Sequence, residues 1–110
     1  MAINCAGKTV EILMMFKDLD PILHTPLRLA VVSLLISVKE AEFTFIREKT
    51  NATAGNLSVQ LNKLKDAGYI NIRKQFKDNY PQTICQISVE GIKAFEQYVI
   101  NLQSYINTKQ

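Results

Sequence analysis

Three polar residues at helical spacing are the first candidates for chemistry in this chain. Asn56, Gln60 and Lys63 follow one another at intervals of four and three residues, a spacing that places them on one face of a helix. An Asn or Gln side chain can pair its donor and acceptor with the edge of adenine, and a lysine binds phosphate as a point charge. The pattern therefore favours contact with a polyanion.

Catalytic and metal-binding patterns are missing from the sequence. The chain has one histidine, His24, and we find no Ser/His/Asp or Cys/His arrangement, no Gly-rich phosphate loop and no carboxylate cluster, so we expect no enzyme. Cys5 and Cys85 stand far apart without a CxxC motif, which predicts no metal, no cofactor and no disulfide. His24 precedes Pro26 at a helix start, where capping or packing is favoured and a pH-sensitive role is the alternative.

Charge is distributed unevenly along the chain. The net charge is +3, but residues 43–82 contain seven Lys/Arg and three Asp/Glu, so that segment carries +4 and the remainder −1. Such asymmetry indicates a polyanionic partner. The longest apolar run, residues 30–38, is far shorter than the roughly 20 residues of a membrane span. With no signal peptide either, we expect a cytoplasmic protein without a membrane partner.

The elements that must position these residues follow from hydrophobic periodicity. At this length we expect one domain, residues 1–110. The predicted helices span residues 8–19, 26–38, 44–50, 53–67 and 89–107, a short strand lies near residues 41–43, and a β-hairpin occupies residues 69–89. Thr44, Thr53 and Ser88 are predicted helix N-caps, and Asn51 and Gly68 suit left-handed positions. The predicted fold class is mainly α with a small β-hairpin wing.

This order of elements resembles a winged helix-turn-helix. In that architecture the second helix of the motif lies in the DNA major groove, so residues 53–67 become the recognition helix. Residues 73–82 become the wing, which is expected to contact the DNA backbone or the minor groove. The predicted DNA-binding residues are Thr53, Gly55, Asn56, Ser58, Gln60 and Lys63 on the helix, and Arg73, Lys74 and Lys77 on the wing. The alternative is that the helix residues are simply solvated and that the wing bases protect a hairpin edge from aggregation.

The last helix carries a narrow apolar seam. Its members step by three and four residues, as in a coiled coil: Ile92, Phe95, Val99, Leu102 and Ile106. The first helix has a comparable stripe, Ile12, Met15 and Phe16. We favour pairing of these surfaces between two copies of the chain, and packing within one domain is the alternative.

Three stretches carry a closer resemblance to a known family. The segments "LDPILHTPLRLAVVSLL", "FTFIREKTNATAGNLSVQLNKLKDAGYI" and "RKQFKDNYPQTICQISVEGIKAF" are similar to winged-helix transcriptional regulators of the MarR/ArsR type. This resemblance implies a homodimer that binds palindromic double-stranded DNA, with the terminal helices forming the dimer. It also implies a role for an unidentified small-molecule effector, since MarR-type members often respond to such ligands.

The chain departs from the family pattern at two places. The recognition helix often has His where this chain has Gln60, so no base preference is transferred at that position. The wing is often arginine-rich, whereas "KDNYPQT" has one Lys and one Asp, which predicts a weaker electrostatic contribution. The low net charge and thin wing also support an alternative function, a winged-helix module for protein–protein assembly.

Overall fold

The computed structural model describes residues 16–106. In chain order the elements are α1 (Pro26–Val38), β1 (Glu40–Glu42), α2 (Phe43–Thr50), α3 (Ala54–Asp66), β2 (Ile70–Lys77), β3 (Tyr80–Ile87) and α4 (Val89–Ile106). Helices α2 and α3 form the helix-turn-helix, and β2 with β3 forms the wing. The predicted fold class, helices with a β-hairpin wing, is confirmed.

The N-terminal helix predicted for residues 8–19 is absent from the part of that segment that the structure describes. Residues 8–15 lie outside the described residues, and residues 16–19 form no helix. Polar side chains of α4 bind the backbone of this segment instead. Ser104 Oγ accepts from the Lys17 N–H at 3.0 Å, and the Tyr105 hydroxyl donates to the Lys17 carbonyl at 2.8 Å. Backbone groups held in this way are not available for helical hydrogen bonds, so the helix prediction is wrong over residues 16–19.

The core forms where the helices meet one side of the sheet. Its members are fully or nearly fully buried: Leu23, Val31, Val32, Leu35, Ile46, Leu57, Leu61, Leu64, Ile70, Cys85 and Tyr98. Three of these are the leucines of α3, spaced so that they share one face of the helix. Each fully buried leucine contributes about 1.5–3 kcal/mol, so this face fixes α3 to the domain and leaves the opposite face free.

The sheet has strand order β1-β3-β2 with antiparallel pairing throughout. Asp78 and Asn79 connect β2 to β3, and both have positive φ, 53° and 68°. Two such residues form the type I′ turn, whose twist matches a two-residue hairpin. The last pairs before the turn are Phe76 with Pro81 and Lys77 with Tyr80, so the wing tip is narrow and regular.

Two of the three predicted N-caps are present. The Thr53 hydroxyl accepts from the Asn56 N–H at 3.2 Å, and the Ser88 hydroxyl accepts from the Gly91 N–H at 2.9 Å. Each bond satisfies a helix N–H that has no partner inside the helix. The prediction for Thr44 is wrong, because α2 begins one residue before it, at Phe43.

The chain changes direction at the predicted left-handed residues. Asn51 follows α2 with φ 55°, and Gly68 follows α3 with φ 84°. At Gly91 the reason for glycine is space: a Cβ there would lie 2.2 Å from the Tyr69 carbonyl oxygen. The start of α4 therefore packs directly on the backbone that leads from α3 into the wing.

Candidate nucleic-acid interface

Helix α3 presents a polar surface opposite its buried leucines. Its exposed residues include Gly55, Asn56, Ser58 and Lys63, together with Val59, which is 50% exposed. No heavy atom lies within 4 Å of the position that a Cβ on Gly55 would occupy. The first turn of α3 is therefore open to close approach by a second molecule, and its backbone N–H groups suit a phosphate.

Gln60 differs from the other predicted contacts because it is half-buried and bonded on both sides. Its Nε2 donates to Asn56 Oδ1 at 3.0 Å, and its Oε1 accepts from Arg28 Nη1 at 2.5 Å. Both polar atoms of the Gln60 amide thus have a partner within the domain. The structure places Gln60 as a link between α1 and the exposed Asn56, rather than as a fully free amide.

Arg28 itself is held by three further acceptors. Its Nε donates to the Ile22 carbonyl at 2.6 Å, and its Nη2 donates to Thr25 Oγ1 at 2.7 Å and to the Pro21 carbonyl at 3.5 Å. A guanidinium is suited to several acceptors because its donors are fixed in one plane. Sequence reasoning missed this residue, since nothing along the chain indicates that residues 28 and 60 meet.

The predicted basic residues of the wing are all exposed, but they are not equivalent. Arg73 forms an ion pair with Glu40 of β1, with nitrogen–oxygen distances of 3.1 and 3.2 Å. Lys74 and Lys77 have no such partner among the described residues. Arg73 is therefore already paired with a carboxylate, which distinguishes it from the two lysines.

A groove separates α3 from the wing. Its polar lining comes from Ser58 and Asn62 on the helix and from Lys74 and Thr83 on the hairpin, with Ile72 among the apolar residues at its base. The structure therefore brings a predicted helix contact, Ser58, and a predicted wing contact, Lys74, to the same groove. Asn62 is an additional exposed amide that was not among the predicted contacts.

Family comparison agrees with this geometry. Residues 27–106 match the family described as winged helix DNA-binding domain, which is most of the chain and includes every element from α1 to α4. The chain belongs to the winged helix DNA-binding domain family. The resemblance seen in the sequence is thereby confirmed at the level of the family and of the fold.

Individual relatives support the same assignment. An uncharacterized protein of Methanocaldococcus jannaschii is 31% identical over 81 residues, which cover 74% of this chain and 88% of that protein. The structure of a transcriptional regulator homologue from Pyrococcus horikoshii OT3 has a TM-score of 0.77 at 24% identity and covers 94% of this chain and 98% of that one. The PcaV transcriptional regulator from Streptomyces coelicolor, solved in complex with its natural ligand, has a TM-score of 0.65 at 13% identity, with coverages of 94% and 79%.

Helix α4 of this winged-helix domain divides the predicted apolar seam between two environments. Phe95 and Leu102 pack against the domain's own core, and Ile92 is half-buried. Val99 and Ile106 remain 37% and 66% exposed. The seam is therefore partly used within one chain, and its exposed remainder is available to a partner.

Other residues of the predicted dimer surface lie near the start of the described chain. The ring of Phe16 packs on that of Tyr105, with centroids 4.9 Å apart, so Phe16 contacts α4 of its own chain. Ile12 and Met15 lie outside the described residues. Exposed Ile100, at 58%, was not among the predicted contacts because it falls outside the three–four spacing of the seam.

The segment before α1 is joined by two polar contacts to Tyr69, the residue before β2, and to α4. The Tyr69 hydroxyl donates to Asp20, and the Nδ1 of His24 lies 3.0 Å from the hydroxyl of the buried Tyr98. Burial, together with the neighbouring Asp20 carboxylate, raises the pKa of Tyr69 to about 12. His24 is exposed, and its contact with Tyr98 joins the segment before α1 to α4.

Two further features concern the chemistry that the described residues offer. Burial raises the pKa of the Cys85 thiol to about 11, which keeps it protonated and unreactive at neutral pH. Within residues 16–106 no group of three His, Cys, Asp or Glu side chains could hold a metal ion. Over the same range, no helix combines the length and the apolar character needed to cross a membrane.

Proposed function

We infer that this winged-helix protein is a sequence-specific transcriptional regulator that binds double-stranded DNA as a homodimer. The observation that carries this inference is the exposed polar face of α3, with an open first turn, opposite three buried leucines. A helix of this kind enters the major groove with its N-terminal residues at the base edges. The wing then lies along the neighbouring backbone, where Lys74 and Lys77 neutralise phosphates.

Asn56 is the residue best placed to read a base. Its Oδ1 accepts from Gln60, which orients the amide and leaves the Nδ2 group for donation to an acceptor on a base edge. Arg28 fixes Gln60 in turn. A preoriented amide loses less conformational entropy on binding than a mobile one, so this chain of contacts favours sequence readout over purely electrostatic binding.

The proposed dimer uses the part of α4 that its own domain leaves exposed. Val99, Ile100 and Ile106 are apolar and 37–66% exposed, and association with a second copy would remove them from water. Two copies related by a twofold axis would present two α3 helices to successive major grooves. The structure of PcaV with its natural ligand supports a further proposal, that a small molecule controls DNA binding here.

Binding assays with single substitutions test this function. Fluorescence anisotropy would follow a labelled duplex from the region upstream of the protein's own coding sequence. We expect Asn56→Ala to weaken discrimination against a scrambled duplex by about 1–3 kcal/mol, and Lys63→Ala to reduce the slope of log K against log salt by about 1. Lys93→Ala, which removes an exposed lysine from α4, is the matched control and should bind like the unmodified protein.

Two results would count against the proposal. If the Asn56→Ala and Lys63→Ala variants bind the upstream duplex as well as the Lys93→Ala control, α3 is not the reading helix. If no duplex binds even at low salt, while a protein partner is retained independently of salt, the assembly module becomes the better account.

A further inference from the structure

Val59 is an apolar side chain at the centre of the polar face of α3. It is 50% exposed, and it lies two residues after Leu57 and two residues before Leu61, both of which are buried. At about 100° of rotation per residue, its side chain projects almost directly away from both leucines. Phe76 in the wing is more exposed, at 77%, but among the described residues of α3 Val59 is the one large apolar side chain that is exposed.

The stability of α3 does not account for a valine at this position. Valine is a weaker helix former than alanine, because its branched side chain has one strongly preferred rotamer in a helix. The neighbours Asn56 and Lys63 are of the polar types that the exposed face of a helix normally carries. Single apolar residues are common on protein surfaces, so the exposure of Val59 alone does not mark a contact, and its surroundings decide.

Gly55 leaves an open space on the N-terminal side of Val59. The two residues are four positions apart and share one face of α3. Helix side chains lean toward the N-terminus, so the Val59 side chain extends toward the turn that contains Gly55. No heavy atom lies within 4 Å of the position that a Cβ on Gly55 would occupy. Gly55 and Val59 therefore border a shallow apolar notch with room for a methyl group.

The notch lies next to an amide that is already oriented. Asn56 follows Gly55 and stands three residues before Val59, which places its side chain beside the notch on the same face. Its Oδ1 accepts from Gln60 Nε2 at 3.0 Å, so its Nδ2 group remains for an acceptor on a partner. This part of α3 therefore combines a space for a methyl group with a hydrogen-bond donor.

Thymine offers both complementary groups in the major groove. It presents the O4 acceptor and the C5-methyl group, whereas cytosine presents an N4 donor in place of O4, and the purines carry no methyl group. We propose that α3 reads a thymine, with its C5-methyl group in the notch between Gly55 and Val59. This inference rests on the proposed DNA-binding function and deepens it, because it names a base that the helix recognises. It makes Val59, which was not among the predicted DNA contacts, a specificity-determining residue.

Replacement of thymine by uracil tests this contact directly, because uracil retains O4 and its base pairing and lacks only the methyl group. Fluorescence anisotropy would compare the upstream duplex with the same duplex containing deoxyuridine at every thymidine position. We expect the unmodified protein to bind the deoxyuridine duplex about 15-fold more weakly, from about fourfold for each buried methyl group in the two half-sites of a homodimer. Deoxyuridine at single positions should then locate one sensitive thymine in each half-site, about 10 base pairs apart.

Two variants of the notch and one matched control connect the effect to α3. Val59→Ala removes the methyl groups that border the notch, and Gly55→Ala fills it; both positions are exposed, so neither variant loses a buried contact. We expect each to bind the thymidine and deoxyuridine duplexes within about twofold of each other. Val89→Ala, the same substitution at an exposed valine of α4, should keep the full preference of the unmodified protein.

The outcomes separate this inference from the proposed function. Equal affinity of the unmodified protein for the two duplexes would overturn the thymine contact while DNA binding stands. An undiminished preference in both Val59→Ala and Gly55→Ala would also overturn it, because the methyl group would then be read elsewhere. If the unmodified protein binds neither duplex even at low salt, the proposed function fails together with this inference.

Discussion

Arg28 of α1 donates to Gln60 of α3 at 2.5 Å, and this contact joins the segment before α1 to the proposed reading helix. The other donors of Arg28 bind the carbonyls of Ile22 and Pro21 and the hydroxyl of Thr25. One half-buried guanidinium therefore holds both the loop before α1 and the Gln60 amide of α3. A shift of the loop or of α3 is therefore expected to move the other through their shared contacts with Arg28.

Loss of Arg28 should affect both stability and DNA binding. We expect Arg28→Ala to lower the free energy of unfolding by about 2–3 kcal/mol, because several acceptors lose a charged donor. Arg28→Lys should recover only part of this, since one ammonium cannot reproduce the planar fork. Urea denaturation measures the first effect and duplex anisotropy the second. Unchanged stability in Arg28→Ala would show that the contact is not formed in solution.

Two glycines in similar helical positions should respond in opposite ways to alanine. At Gly91 the added Cβ would lie 2.2 Å from the Tyr69 carbonyl oxygen, a backbone atom with little freedom to move, so we expect a loss of about 1–3 kcal/mol or more. At Gly55 no heavy atom lies within 4 Å of the added Cβ, so Gly55→Ala should gain about 0.5–1 kcal/mol. Urea denaturation of both variants checks the contrast, and equal effects would contradict the packing described for α4.

The contact between Tyr69 and Asp20 should appear as a pH dependence of stability. The pKa of Tyr69 rises from 10.0 to about 12 in the folded protein, so between these values the folded chain keeps the phenol proton and the unfolded chain loses it. Its contribution is fully present below pH 10 and is lost as the pH rises through about 12. Tyr69→Phe should flatten this decline.

Denaturation at several alkaline pH values would measure how the free energy of unfolding declines in the unmodified protein and in the Tyr69→Phe variant. The Cys85 thiol, with its pKa raised to about 11, also contributes to the decline, but equally in both proteins, so the difference between them isolates Tyr69. At neutral pH we expect Tyr69→Phe to cost about 1 kcal/mol, the typical value of one hydrogen bond. An identical alkaline profile in the two proteins would argue against the contact.

The exposed apolar face of α4 should control the oligomeric state. We expect Val99→Glu combined with Ile106→Glu to convert a dimer into a monomer, because two buried charges would oppose association. Lys93→Glu, a charge change at an exposed position of the same helix, is the control and should leave the dimer intact. Light scattering after gel filtration distinguishes the two states. A dimer that survives the double substitution must use another surface.

Local sequence patterns predicted the elements of the fold well. The leucine spacing of α3, the cap at Thr53 and the left-handed residues Asn51 and Gly68 depend on neighbours a few positions away. These signals fix where a helix begins and ends. Residues 16–19 were predicted incorrectly because the decisive contacts come from α4, more than 80 positions further along the chain.

The site was predictable only in part, for the same reason. Periodicity identified the exposed face of α3, but it gave no indication that Gln60 is bonded to Arg28 or that Arg73 is paired with Glu40. Both contacts join residues that are distant along the chain. The exposure of Phe76 was equally hidden, because alternation shows which side of a strand a residue occupies and not whether that side is covered at the tip.

One titration tests the central claim most directly. The full chain would be titrated against a duplex from its own upstream region and against a scrambled duplex of equal composition, at two salt concentrations. We predict tighter binding to the upstream duplex at both, with both affinities falling as salt rises. Equal affinity for the two duplexes, or no binding at the lower salt concentration, would contradict sequence-specific regulation by this protein.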